Sequence, residues 1–171
     1  MTINFKNTIL SQYLDQLASR QPVPGGGSAA ALTAALGAAL VSMVANYSIG
    51  RKNNTKATEK RLAKILKDSE AIHRRLLELS SLDSQAYLKI VAARKLDTKA
   101  QPSARTASLK KASRDAAAVG KEVCQLCYKA LSLTPFLVTA GNPYLISDVE
   151  AAAELLQAGF NASMVMVRVN Q

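Results

Sequence analysis

Asp83 lies on an apolar helical seam, where a carboxylate is unexpected. Apolar and small side chains recur around it in alternating steps of three and four, from Leu62 to Ala93. Burying a carboxylate is costly unless it is paired or protonated. Three interpretations follow: a carboxylate directed into a cleft, with a raised pKa; a structural ion pair; or an outward turn at a seam break near Ser80 and Ser81.

A second candidate is the loop PVPGGGS, which leads directly into a predicted helix with Ser28 as its N-cap. Unpaired amides and the positive end of the helix dipole make such a terminus a ready anion site. Gly25, Gly26 and Gly27 let a ligand approach the backbone closely. The loop is no P-loop, because no Gly-Lys-Ser/Thr follows. A tight turn needs fewer glycines, so ligand binding is the favoured interpretation.

Other reactive residues carry weaker signals. Asp148 falls in the first turn of the last predicted helix, where the dipole favours any carboxylate, so by itself it suggests a structural role. Cys124 and Cys127 form a C-x-x-C on a helix without a second ligand pair, and His73 is the only histidine. A zinc site and metal-assisted hydrolysis are therefore not expected.

The net charge of +10 is compatible with a nucleic acid, an anionic small ligand or an evenly solvated surface. No nucleic-acid-binding motif is recognisable, and aromatic residues make up only 5% of the chain. A basic run follows the glycine-loop helix and is either a solvated face or a site for a polyanionic tail: Arg51, Lys52, Lys56, Lys60, Arg61, Lys64 and Lys67.

The elements that must position these residues are helices, because no segment alternates over strand length with turn signals at both ends. The 171 residues are expected to form one all-α domain, 1–171, a helical bundle. Helices are predicted over 6–18, 28–49 and 55–95, then from about 103 towards 140 with a division at Gly120 and a kink at Pro135. A capping box of Ser147 and Glu150 introduces the last helix.

The long central helix and the last helix both suggest an oligomer. A helix over 55–95 would be about 60 Å long, so either it breaks or a partner subunit supports it. The last helix, 151–169, is apolar nearly all round and should be buried in the bundle or in a subunit interface. A homodimer or higher homo-oligomer is predicted.

The uncharged stretch between Arg20 and Arg51 is long enough to cross a bilayer. It consists largely of Ala, Gly, Ser and Thr, so a buried central helix is favoured over a membrane span. The N-terminus lacks the order of a secretory signal, and two cysteines fit a reducing compartment. A cytoplasmic protein is expected.

Several motifs together resemble the formiminotetrahydrofolate cyclodeaminase and methenyltetrahydrofolate cyclohydrolase family. They occur in the family's order and cover nearly the whole chain: PVPGGGSAAALTAALGAALVSMVANYSIGRK after Leu17-Ala18-Ser19, LDSQAY at 82–87, GNPYLISD at 141–148 and VRVN at 167–170. The resemblance implies an all-helical, oligomeric enzyme that acts on one-carbon units carried by tetrahydrofolate, with no metal and no cofactor beyond that substrate.

The resemblance also implies the site residues and the reaction. Asp83 and Asp148 would be catalytic, and the substrate would be held by Gly25, Gly26, Gly27, Ser28 and Asn142, with Arg51 and Lys52 holding its glutamate tail. The expected reaction is cyclodeamination of 5-formiminotetrahydrofolate to 5,10-methenyltetrahydrofolate and ammonia. The alternatives are a methenyltetrahydrofolate cyclohydrolase, a non-catalytic folate-binding relative, and a basic helical module that binds nucleic acid.

Overall fold

Six α-helices and one short 3-10 turn make up most of residues 4–5, 8–96 and 102–171, the part of the chain described by the computed structural model. These residues contain no strand, so the all-α prediction is confirmed. The elements are α1 Leu10–Ala18, α2 Gly26–Ser48, α3 Lys56–Arg94, α4 Pro102–Leu131, α5 Thr134–Ala140, the 3-10 turn Pro143–Leu145 and α6 Ile146–Val169.

Four of the helices form an up-and-down bundle. Each neighbouring pair is antiparallel: α2 packs between α3 and α6, and α4 packs between the same two helices on the other side. An ion pair between Arg75 of α3 and Glu122 of α4, at 2.7 Å, fixes the register of that pair. The bundle places the start of α2 beside the later half of α3 and the end of α6.

Small side chains let α2 pack against α6 almost backbone to backbone. A Cβ on Gly37 would lie 2.8 Å from Leu156 Cγ, and one on Gly159 would lie 2.8 Å from Ala34 Cβ. Such contacts explain why α2 is built from Ala, Gly and Ser. By length and composition α2 and the stretch 103–140 would each suit a membrane span, but 61% of the α2 window is buried inside the bundle.

The long helix α3 is continuous over 39 residues, about 58 Å at 1.5 Å per residue. The Thr55 hydroxyl caps it by accepting the backbone N–H of Thr58 at 3.1 Å. The predicted seam is correct, since Leu62, Leu76 and Leu79 are fully buried. The alternative that this helix breaks is wrong.

Two predicted helix starts are displaced. Helix α2 begins at Gly26, and its N-cap Gly25 lies three residues before the predicted N-cap Ser28. The capping box of Ser147 and Glu150 does not form, because α6 starts at Ile146 without a side-chain cap. In the first case the Ser28 hydroxyl is bonded to the Tyr13 hydroxyl instead of capping the helix.

The predicted break at Gly120 is also wrong, because this glycine lies inside α4 and faces Val167 of α6 at the distance of a close helix contact. The chain instead leaves α4 after Leu131, and Pro135 stands in the first turn of α5, where its missing N–H costs nothing. The predicted start of the first helix at Lys6 lies outside the described residues; the described helix begins at Leu10.

Candidate functional site

The Asp83 carboxylate lies against the N-terminus of α2. A Cβ built on Gly27 would collide with Cγ and both carboxylate oxygens of Asp83, so only glycine leaves room for the acid there. The backbone N–H of Ser28 donates to this carboxylate. Asp83 therefore takes one of the amides that the first turn of α2 leaves unpaired, and the acid and the glycine loop form one unit.

Burial raises the pKa of Asp83 above its ordinary value, and the hydrogen bond from the Ser28 backbone lowers it by a smaller amount. Desolvation disfavours the charged form, whereas donation to the carboxylate favours it. Among the described residues no ion pair with Asp83 is formed, so the structural ion pair considered for this position is absent there. A raised pKa makes this carboxylate a better proton acceptor than an ordinary aspartate.

The Ser28 hydroxyl does not face the cleft. It is fully buried and hydrogen bonds to the hydroxyl of Tyr13 at 3.0 Å. Burial raises the pKa of Tyr13, and the hydrogen bond to Ser28 opposes that rise. Tyr13 is the only buried side chain of α1 and packs edge-on against Phe5. Ser28 thus contributes its backbone amide to the site, and its side chain secures α1.

A cavity of about 390 Å³ opens beside Asp83 and the glycine loop. Its volume lies in the range of small-molecule sites. Asp83 and Arg94 are the only charged side chains among the described residues that line it: Pro22, Val23, Gly25, Gly26, Gly27, Asp83, Tyr87, Ile90, Arg94, Ala116, Met166, Val169 and Asn170. This cavity can hold a mostly apolar ligand with a proton-bearing or cationic group at Asp83.

The Gly141-Asn142 loop lies at the opposite end of the bundle. Arg51 donates from Nη1 to the Gly141 carbonyl at 2.6 Å, and the Asn142 backbone N–H donates to the Ser48 hydroxyl at 2.9 Å. The Asn142 side chain accepts the Tyr144 backbone N–H at 3.1 Å. These bonds tie the loop to the end of α2, so Arg51 and Asn142 have structural partners in this chain.

The two predicted catalytic aspartates do not meet within one chain. Asp148 lies in the first turn of α6, whereas Met166, near the other end of α6, contacts Gly26 beside Asp83. The 18 residues between Asp148 and Met166 correspond to about 27 Å along the helix. Asp83 and Asp148 of the same chain therefore do not form one site, and their predicted catalytic roles stay a prediction. The spacing of motifs along a sequence does not reveal helix direction.

The basic residues predicted to hold the glutamate tail also lie far from Asp83. Arg51 and Lys52 follow the C-terminal end of α2, and α2 has 23 residues, about 34 Å from the glycine loop. Other members of the basic run are engaged locally: Arg61 lies over the Phe136 ring at 4.4 Å, and Lys64 pairs with Asp68 at 3.0 Å.

Sequence analysis missed Tyr87 and Arg94, which line the cavity with Asp83. The three residues, together with Ile90, occupy positions i, i+4, i+7 and i+11 of α3 and so share one helix face. The shared face can be read from this spacing. Tyr87 and Arg94 each follow a residue of the apolar seam by one position, however, so they fall outside the seam pattern.

The cysteines have no role in this site. Both are buried and free, and burial raises the pKa of Cys127 to about 12. Neither is a reactive thiolate near neutral pH. Among the described residues no group of three or more His, Cys, Asp or Glu side chains has the arrangement of a metal site.

Comparison with protein families assigns the chain to a known family. The profile of the formiminotransferase-cyclodeaminase family matches residues 9–171. The chain belongs to this family. The match includes the glycine loop, Asp83 and the Gly141-Asn142 loop, so the family relationship extends over both ends of the bundle.

Individual members of the formiminotransferase-cyclodeaminase family agree. A methenyltetrahydrofolate cyclohydrolase of Methylorubrum extorquens is 36% identical over 96% of this chain and 79% of its own length. The formimidoyltransferase-cyclodeaminase of Rattus norvegicus is 31% identical over 94% of this chain, which spans 30% of that longer protein. The crystal structure of formiminotetrahydrofolate cyclodeaminase from Thermotoga maritima superposes with a TM-score of 0.88 at 28% identity, covering 98% of this chain and 80% of that one.

Proposed function

We propose that this chain is a tetrahydrofolate one-carbon enzyme that converts 5-formiminotetrahydrofolate to 5,10-methenyltetrahydrofolate and ammonia. The observation that carries the proposal is the Asp83 carboxylate, held by Gly27 and the Ser28 amide at the wall of a ligand-sized cavity. The names of the relatives support the substrate class. Two further predictions stay predictions: that no metal takes part, and that the protein is cytoplasmic.

Asp83 would act at the bond-forming step. N10 attacks the formimino carbon attached to N5, and the N10 proton must be taken up as the new bond forms. A carboxylate with a raised pKa is a suitable acceptor for this proton. Starting from the amidinium form of the substrate, Asp83 then passes the proton to the amidine nitrogen, the bond between that nitrogen and the carbon breaks, and ammonia leaves. The carboxylate, ionised again, stabilises the cationic methenyl product.

Methenyltetrahydrofolate cyclohydrolysis is the second candidate, favoured by the Methylorubrum extorquens relative at 36% identity. In that reaction water adds to the methenyl carbon and the ring opens to 10-formyltetrahydrofolate. Asp83 would then take a proton from water instead of N10. The two reactions share a ligand frame and differ in whether ammonia leaves or water enters.

The test offers 5-formimino- and 5,10-methenyltetrahydrofolate separately to the purified protein. We expect methenyl absorbance and ammonia to appear from the formimino substrate well above the spontaneous rate. Rapid loss of methenyl absorbance, with ammonia release no faster than the blank, would instead make the protein a cyclohydrolase. Binding of tetrahydrofolate without either reaction would support the non-catalytic alternative.

We further propose that the chain works as a homodimer or higher homo-oligomer. One face of α6 is buried in the bundle, but the opposite face bears a stripe of exposed small apolar residues at helical spacing: Ala151, Ala158, Ala162, Val165 and Val169. Val169 is 70% exposed. A second copy that covers this stripe would remove apolar area from water. A site shared between copies would also bring Asp83 of one copy together with Asp148 of another, so that both could act in the predicted catalytic roles.

Mixing two inactive variants tests whether subunits share the site. If Asp83 of one copy works with Asp148 of another, Asp83→Asn and Asp148→Asn are each inactive alone. Co-refolding them should restore about a quarter of wild-type activity, since half the dimers are mixed and each has one intact site of two. Sedimentation as a monomer at micromolar concentration, or full activity of Asp148→Asn alone, would contradict this arrangement.

A further inference from the structure

One face of α3 forms the floor of the cavity, and the functional groups of the cavity follow one another along this face. Asp83, Tyr87, Ile90 and Arg94 lie on this face, and all four line the cavity. Asp83 is at the enclosed end beside the glycine loop, and Arg94 is exposed, in the last turn of the helix. The floor therefore runs from a half-buried acid, past an aromatic ring, to an exposed cation.

We infer that Arg94 binds the glutamate carboxylates of the folate substrate, with Tyr87 lying along the aminobenzoyl ring between Arg94 and Asp83. This inference rests on the proposed function, because it takes the ligand to be a tetrahydrofolate with its reacting nitrogens at Asp83. It assigns the recognition of the acidic arm to Arg94, which lies outside the motifs that carry the resemblance.

The lengths of the floor and the ligand agree. Asp83 and Arg94 are 11 residues apart, about 16 Å along the axis, and helical side chains lean towards the N-terminus, so the guanidinium reaches back over the cavity. An extended arm from N10 of a folate to its glutamate carboxylates measures on the order of 12 Å from ordinary bond lengths. A folate with N10 at Asp83 would place its carboxylates at Arg94.

The charges agree as well. Among the described residues that line the cavity, Arg94 is the only cation, and no described carboxylate forms an ion pair with it. A guanidinium offers a planar pair of donors to a carboxylate, and Tyr87, a residue that is 39% exposed, offers an aromatic ring. By contrast, Arg51 is bonded to the Gly141 carbonyl at the far end of α2.

The decisive experiment compares a glutamate-bearing ligand with one that lacks the glutamate. Binding of tetrahydrofolate and of tetrahydropteroate is measured by calorimetry, and turnover of their 5-formimino derivatives is measured in parallel. Arg94→Gln should weaken tetrahydrofolate binding and raise KM on the order of ten-fold, with kcat little changed, because a charge-assisted hydrogen bond is lost. Tetrahydropteroate should bind wild type and variant equally, and Arg94→Lys should keep part of the affinity.

Arg74→Gln is the matched control, since Arg74 lies on the same helix, is exposed and pairs with Glu70 at 3.1 Å away from the cavity. It should bind tetrahydrofolate as wild type does. An unchanged affinity in Arg94→Gln, or an equal loss with both ligands, would overturn the inference, as would a glutamate-specific loss in Arg51→Gln instead. If wild type bound tetrahydrofolate without turnover, the proposed reaction would be refuted, and the binding measurements alone would decide the role of Arg94. If wild type did not bind tetrahydrofolate, both the proposed reaction and the role of Arg94 would be refuted.

Discussion

Asp83→Asn is expected to lower turnover by about 100- to 10,000-fold, the usual cost of removing a general base or acid. The amide is nearly isosteric with the acid and can still accept the Ser28 backbone N–H, so the glycine loop should keep its position. What is lost is the ability to take a proton and the negative charge beside the cationic carbon. The loss should therefore appear mainly in kcat.

The same substitution should raise the stability of the fold at neutral pH. Burial raises the pKa of Asp83 in the folded state. A group shifted in this direction contributes stability that is fully present below its unfolded pKa and is lost as pH rises through its folded pKa. Above that folded pKa the ionised carboxylate is therefore a net cost that asparagine does not bear. In wild type, activity should fall on acidification through the raised pKa, at a higher pH than an ordinary aspartate would give.

Thermal unfolding at pH 7 and at pH 4, together with kcat, checks both effects. The stability gain of Asp83→Asn should shrink on acidification, as wild-type Asp83 becomes protonated. Asp68→Asn is the control on the same helix, since Asp68 pairs with Lys64 at 3.0 Å and lies away from the cavity. If Asp83→Asn kept wild-type turnover, Asp83 would not be a catalytic residue, even though the chain belongs to this family.

Asp83 could be predicted as a candidate site residue from the sequence, because placing a carboxylate on an apolar seam costs free energy and therefore indicates a function or a partner. The same logic predicted α2 as a core helix, since a long run of small residues suits close helix contacts. These predictions rest on local patterns that the tertiary structure has to respect: the period of a helix and the cost of burying charge.

The relative placement of the sites was not predictable in this way. Nothing in the motifs LDSQAY and LISD shows that Asp83 and Asp148 lie at opposite ends of the bundle, because helix direction is set by loops and packing. The predicted start of α2 was wrong for a related reason. Ser28 is of a residue type that often serves as an N-cap, but its hydroxyl is bonded to Tyr13, which is distant in the sequence. Tertiary partners determined these features, and local preference did not.

Gly27→Ala is expected to abolish most activity, about 100-fold, although alanine is the better helix former. The added methyl would occupy the space of the Asp83 carboxylate, which must rotate away and lose the Ser28 amide. Release of the acid into solvent would bring its pKa back towards the ordinary value. The fold itself should be at least as stable, because a buried charge is relieved and a glycine leaves a helix.

A double-mutant cycle separates this mechanism from general damage to the loop. If Gly27 acts by making room for Asp83, Gly27→Ala should cost almost nothing further in an Asp83→Asn background, a strong departure from additivity. Gly26→Ala is the matched comparison, since its methyl would meet only the flexible end of Met166 at 3.6 Å, and it should retain more activity than Gly27→Ala. Fully additive losses, or an unfolded Gly27→Ala, would show that the glycine serves the loop and not the acid.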